Sequence, residues 1–153
     1  MCEFVNNYLQ NGNYTYTATV YPTCLYPKGV TANGTAEIKS IYSCDNPSKF
    51  ILKNVVIYSE NPVVGKNVQV QAFDTDCSYF YQGTEGGNFS GTFKYCKKND
   101  QILICGRGYT SITGNIEKVK IYWEKTSNGY NELIYNYKKG NWSLIAQRTF
   151  TKV

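Results

Sequence analysis

The feature that most constrains this chain is a two-residue alternation of apolar and polar side chains, broken by a turn every eight to twelve residues or so. Successive side chains of a β-strand point to opposite faces, so this period predicts half-buried strands. Clusters of Gly, Asn, Pro or Lys separate the alternating runs, as in the turns of antiparallel sheets. The 153 residues are therefore predicted to form an all-β structure, with a single β domain over residues 1–153.

The alternation is clearest in the last third of the chain. Glu117–Glu124 places one set on each face: Val119, Ile121 and Trp123 against Lys118, Lys120 and Tyr122. Ser127-Asn128-Gly129 predicts a hairpin turn, Asn131–Tyr137 a second strand and Trp142–Lys152 a third. In the third strand, one face is expected to hold Trp142, Leu144, Ala146 and Phe150. These segments predict a three-stranded antiparallel meander.

Further strand segments precede the meander, and Thr31–Cys44 is expected either as one strand or as two pieces broken at Gly34. Only Cys2–Gln10 could hold a helical turn. About nine or ten short antiparallel strands in one domain indicate a β-sandwich, with a closed β-barrel as the alternative. The predicted upstream strands are Tyr14–Tyr21, Thr31–Cys44, Lys49–Tyr58, Asn67–Phe73, Cys77–Gln82, Asn88–Cys96 and Gln101–Cys105.

Six cysteines in a chain without histidine favour disulfides over a zinc site, because no pair has the spacing of a zinc knuckle. Three disulfides would stabilise the domain and indicate an oxidising compartment. Cys96 and Cys105 flank a turn-rich stretch that could bring them onto adjacent strands. Reduced, buried thiols are the competing interpretation. The cysteines concerned are Cys2, Cys24, Cys44, Cys77, Cys96 and Cys105.

Four glycosylation sequons give weaker support for a secreted, extracellular glycoprotein. Their acceptors are Asn13, Asn33, Asn88 and Asn141. Met1 directly precedes Cys2, and we interpret it as a start codon placed on a mature domain. No apolar run approaches the length of a membrane span.

The net charge of +5 is not concentrated in any stretch of the sequence. The densest basic clusters, Lys97-Lys98 and Lys138-Lys139, fall at predicted turns and are interpreted as solvated residues. We therefore predict no nucleic-acid partner. A salt-sensitive attraction to acidic glycans or anionic surfaces stays open.

The absence of histidine excludes catalysis by Ser-His-Asp and Cys-His groups, because both need an imidazole. No phosphate-binding glycine pattern occurs, and no cofactor is predicted. Asp74 and Asp76 could share a strand face and hold Ca²⁺, although solvated carboxylates are the favoured interpretation. We predict that the protein is not an enzyme.

Aromatic side chains near turns are the candidates for ligand binding. Tyr79 and Tyr81 precede a glycine-rich loop that contains Glu85, and Tyr26 lies in a Pro- and Cys-restrained loop. Trp142 follows a turn and could stack on a sugar ring or pack against Trp123; packing is favoured. The leading hypothesis is a secreted recognition module that contacts a protein or glycan through aromatic-bearing loops. The alternative is a carrier that holds an apolar small molecule or lipid between sheets or inside a barrel.

Overall fold

A computed structural model of the protein describes residues 11–43, 50–61, 66–73, 78–83, 89–98, 101–110 and 112–153. In this part of the chain the regular structure is entirely β, with no helix long and apolar enough to cross a membrane. The strands are β1 (Gly12–Val20), β2 (Val30–Ser43), β3 (Phe50–Ser59), β4 (Lys66–Phe73), β5 (Ser78–Gly83), β6 (Phe89–Lys98), β7 (Gln101–Thr110), β8 (Asn115–Thr126), β9 (Gly129–Lys138) and β10 (Asn141–Lys152).

The described strands form one curled antiparallel sheet. Each strand pairs with its neighbours in sequence, and β1 pairs with both β2 and β10, so the strand order closes into a barrel. The all-β, antiparallel prediction is confirmed. The favoured two-sheet sandwich is wrong, because hairpin connections keep consecutive strands side by side and the last strand then meets the first. Alternation within a strand is identical in the two architectures, so the sequence pattern could not separate them.

The predicted meander is observed, and its apolar face lines the barrel interior. Val119, Ile121 and Trp123 of β8 are buried, as the alternation predicted. The interior is rich in aromatic contacts: the Tyr130 and Phe150 rings stack with centroids 4.8 Å apart. The buried apolar residues described are Tyr14, Tyr16, Ala32, Ala36, Ile38, Val55, Ile57, Ile102, Ile104, Val119, Ile121, Trp123, Tyr130, Ile134, Ile145, Ala146 and Phe150.

A β-bulge at Ile145 changes the phase of β10. Leu144 pairs with Tyr135 and Ala146 with Ile134, which leaves Ile145 as an extra residue. One extra residue exchanges the two faces of the strand beyond it. Residues Ala146 and Phe150 are buried, whereas Trp142 is 38% exposed. The prediction that these side chains share one face with Leu144 is therefore wrong, and Trp142 does not pack against Trp123.

Strand β2 runs unbroken through Gly34, so the alternative of two pieces is not observed. A Cβ at this position would lie 2.0 Å from the Tyr58 carbonyl oxygen. Glycine is needed here because β3 approaches closely, and it does not end the strand.

Three of the six cysteines lie in the described residues, and all three are free thiols: Cys24, Cys96 and Cys105. The predicted disulfides at these positions are therefore contradicted. The register pairs Cys96 with Leu103 and Cys105 with Lys94. Cys96 and Cys105 thus stand diagonally on one face. Cα atoms of such diagonal neighbours are about 7–8 Å apart, which is too far for a disulfide without movement of the backbone.

Several predictions concern residues outside the described part of the chain. They include the possible helical turn at Cys2–Gln10 and the possible calcium ligands. The individual residues are Cys2, Cys44, Asp74, Asp76, Cys77, Glu85 and Asn88.

Candidate binding surface on the outer sheet

The exposed indole of Trp142 lies at the centre of an aromatic surface on the outside of the barrel. Its ring packs on Tyr137, with the centroids 5.2 Å apart and the planes at 59°. The Lys120 ammonium stands 4.2 Å from the Trp142 ring centroid, and Lys118 stands 5.5 Å from the Tyr137 centroid. These cation–π contacts hold both rings in place at the surface.

Next to Trp142, a groove of about 340 Å³ runs over the outer faces of β7 to β10. On its floor Tyr122 and Tyr135 meet edge to face at 5.7 Å. The amide of Gln101 donates a hydrogen bond of 2.7 Å to the Glu124 carboxylate. The groove is lined by Gln101, Lys120, Tyr122, Glu124, Leu133, Tyr135 and Trp142.

The chemistry of this groove suits a ligand that is apolar on its faces and polar at its edge. Aromatic rings offer flat contact area at a small cost in side-chain entropy. An amide, a carboxylate and an ammonium supply donors and acceptors that orient a ligand. Sugar rings have this combination of C–H faces and hydroxyl edges. The surface will be called the Trp142 groove.

Among the predicted binding residues that the structure describes, Tyr26, Tyr79 and Tyr81 do not join the Trp142 groove. Tyr26 is half-buried in the β1–β2 loop, where its carbonyl accepts hydrogen bonds from the backbone amides of Thr23 and Gly29 at 3.0 and 2.9 Å. Tyr79 and Tyr81 lie in β5, where they pair with Phe93 and Gly91 of β6. Strand β5 is separated from β10 by four strands in the sheet order. Sequence reasoning thus identified one residue of the groove.

The remaining groove residues were missed, although a signal for them was present. Lys120 and Tyr122 occupy the outward face of β8, opposite its core residues, and Tyr135 pairs with Lys120 across β9. Aromatic residues on the polar face of a predicted strand are the sequence signal that indicates such a surface. Their convergence on Trp142 depends on the register and on the bulge, which the sequence does not display.

The β1–β2 loop, which holds Tyr26, reaches across one end of the barrel to the β7–β8 turn. The Thr23 hydroxyl donates a hydrogen bond of 3.0 Å to the Ile112 carbonyl. Leu25 packs close against Gly114: a Cβ atom added to Gly114 would lie 2.9 Å from the Cδ1 atom of Leu25. This loop is therefore tied to the barrel end rather than presented as a separate contact surface.

A buried polar cluster lies inside the barrel. Arg148 and Glu132 form an ion pair, and the Trp123 indole N–H donates a hydrogen bond of 2.9 Å to Glu132 Oε2. Burial raises the pKa of the Tyr16 phenol; Arg148, to which Tyr16 is hydrogen-bonded, lowers it, and the Glu132 carboxylate raises it. The ion pair and the Trp123 hydrogen bond place the two buried charges against each other in an apolar surround.

No group of three or more metal-ligating side chains occurs within the described residues. The sequon residues Asn13, Asn33 and Asn141 are exposed, and their glycosylation stays a prediction. Comparison with models of protein families and with curated proteins finds no match for the chain. The functional argument therefore depends on the geometry of the site.

Proposed function

We propose that this protein is a non-enzymatic binding module that holds a carbohydrate chain in the Trp142 groove. The observation that carries the proposal is the exposed, buttressed indole of Trp142 beside a groove with aromatic and polar walls. In this proposal the ligand contacts the outer face of a sheet, rather than the loops favoured by the sequence. The two tyrosines of the groove floor would extend the stacking surface.

The packing of the described side chains of the barrel interior favours surface binding over the carrier alternative. In the part whose side chains are described, the inward positions of β8, β9 and β10 carry large groups in mutual contact, including Trp123, Tyr130 and Phe150. A carrier needs unfilled interior volume. In that part of the molecule, polar and aromatic groups converge instead on the outer groove beside Trp142.

A glycan array at low salt, followed by titration of the bound glycans, tests this proposal. Trp142→Ala should lower the affinity for any bound glycan about tenfold, equivalent to ~1.4 kcal/mol, because the stacking surface is lost. Tyr58→Ala is the matched control. Tyr58, on β3, is 51% exposed, and the Lys66 ammonium stands 5.9 Å from its ring centroid. The Tyr58→Ala variant should bind the glycan with the affinity of the wild type. A silent array, or equal losses in both variants, would contradict the proposal.

Secretion is likewise a proposal, supported now by the exposed sequons and no longer by disulfides at Cys24, Cys96 and Cys105. Alkylation of the native protein followed by peptide mass spectrometry separates the possibilities. Cys24 and Cys96 are exposed and should react without reductant. Labelling of these two positions only after reduction would restore the disulfide framework.

A further inference from the structure

The barrel register brings together cationic side chains that are scattered along the sequence. Lys94 of β6 pairs with Cys105 of β7, which pairs with Lys120 of β8. In the next row, Arg107 pairs with Lys118. Lys94, Arg107 and Lys118 are exposed, and Lys120 is half-buried under the contact with Trp142. Four cations thus occupy two adjacent rows on three neighbouring strands.

The described members of these two rows include no carboxylate. The first row continues from Lys120 to Tyr135 and Leu144, and the second lies beside Tyr137, on which Lys118 rests. The nearest acidic group along β8, Glu117, has an inward-side partner, since its carboxylate accepts a hydrogen bond of 3.1 Å from Asn136. The rows therefore present a positive surface beside the aromatic rings of Tyr137 and Trp142.

The opposite end of the Trp142 groove holds a carboxylate, Glu124. The outward positions of β8 run from Lys118 and Lys120 through Tyr122 to Glu124, and Glu124 is hydrogen-bonded to Gln101. Six residues of strand separate the two ends, about 20 Å. A carboxylate and an amide accept and donate hydrogen bonds to hydroxyl groups, whereas a carboxylate repels an anion.

We infer that the ligand of the Trp142 groove is an oligosaccharide with an anionic group, carboxylate or sulfate, at one end and neutral sugars along the rest. The anionic end is held by Arg107, Lys118 and Lys120, and the neutral part stacks on the aromatic floor toward Glu124. A nucleic acid fits less well, because each of its nucleotides carries a phosphate and those near Glu124 would be repelled by its carboxylate. This inference depends on the proposed function and specifies its ligand class.

Matched sugar probes and matched charge variants test the inference. Affinities are measured for sialyllactose, sulfated lactose and lactose by titration calorimetry at two salt concentrations, with oligothymidylate as the competing anion. The site variant is Arg107→Gln/Lys118→Gln. The control variant, Lys28→Gln/Lys125→Gln, removes the same charge from two exposed positions outside the groove.

The acidic sugars should bind at least about tenfold more tightly than lactose, and added salt should reduce that difference. The site variant, which keeps Lys120, should lose most of the preference for the acidic sugars, whereas the control variant should behave as the wild type. Equal affinities for acidic and neutral sugars would overturn the inference and leave the proposed function standing if Trp142→Ala still weakens binding. Equal effects of the two charge variants, or tighter binding of oligothymidylate than of the acidic sugars, would also overturn it.

Discussion

At the residue scale, a buried ion pair between Glu132 and Arg148 lies in the described part of the barrel interior. The two residues are directly opposite each other on β9 and β10 and are 3% and 8% exposed. The residue next to Arg148 across β1 is Ala18, which is small enough to leave space for the guanidinium. Charges at such depth are tolerated only when they are paired and hydrogen-bonded.

Loss of one partner of this pair should therefore destabilise the protein more than loss of both. Glu132→Leu leaves the Arg148 charge without its carboxylate and should lower the free energy of unfolding by about 3–5 kcal/mol. Glu132→Leu/Arg148→Met should recover most of that loss. Urea denaturation of Glu132→Leu, Arg148→Met and the double variant measures the coupling. A double variant as unstable as the sum of the single ones would contradict the expectation.

The buried phenol of Tyr16 predicts loss of stability at alkaline pH. Burial raises its pKa above the ordinary value of 10.0 in the folded protein, and burial raises that of Tyr14 as well. Above the unfolded-state value, the unfolded chain releases the proton that the folded protein still holds. The free energy of unfolding should therefore be fully retained below about pH 10 and fall as the pH rises above it.

The comparison that isolates this effect is urea denaturation from pH 8 to pH 11 or so, for the wild type and Tyr16→Phe. The variant should show a shallower decline, because it has one fewer proton to release on unfolding. Tyr58→Phe, which removes an exposed hydroxyl, serves as the matched control. Identical slopes for the wild type and Tyr16→Phe would refute the assignment.

At the scale of elements, the hairpin between β9 and β10 carries local backbone strain. Lys138 pairs with Asn141, so the turn consists of Lys139 and Gly140, whose φ angles are 51° and 82°. Two successive positive φ values define a type I′ turn, which favours Asn-Gly. Lysine is a poor residue for the first of these positions because its Cβ crowds the backbone there.

Replacement of Lys139 by asparagine should relieve this strain. Lys139→Asn should raise the free energy of unfolding by about 0.5–1 kcal/mol, as measured by chemical denaturation. Lys138→Asn is the control, since it removes the same charge from the neighbouring strand position and does not occupy the turn. Equal changes in the two variants would show that charge rather than backbone conformation is responsible.

At the scale of the whole molecule, the barrel is closed by the pairing of its first and last strands. Tyr14 pairs with Lys152 and Val20 with Ala146, and the Val153 amide donates a hydrogen bond of 2.9 Å to the Asn13 carbonyl. These contacts join residues far apart in sequence, so closure depends on every intervening hairpin having the correct register.

Because Asn13 and Val153 are in contact, a circular permutant should keep the fold. Joining the two ends of the chain through an added Gly/Ser linker and opening the chain between Ser127 and Asn128 moves the break to the β8–β9 turn. The permutant should unfold cooperatively within about 2 kcal/mol of the wild type. Near-ultraviolet circular dichroism and urea denaturation check this. A permutant without fixed aromatic packing would contradict the closed strand order.

The sequence by itself determined the all-β character, the hairpins of the meander and the burial of Val119, Ile121 and Trp123. These properties depend on side-chain alternation and on turn residues, which act within a few positions of one another. It also placed Trp142 among the residues that could contact a ligand.

Only the tertiary structure decided between sandwich and barrel, the state of the described thiols and the composition of the Trp142 groove. The meeting of β1 and β10 is a contact over the length of the chain. The bulge at Ile145 turns Trp142 outward, and the diagonal offset of Cys96 and Cys105 prevents their predicted pairing. Each outcome depends on register, which is set by the closure of the whole sheet and has no counterpart in the local pattern of residues.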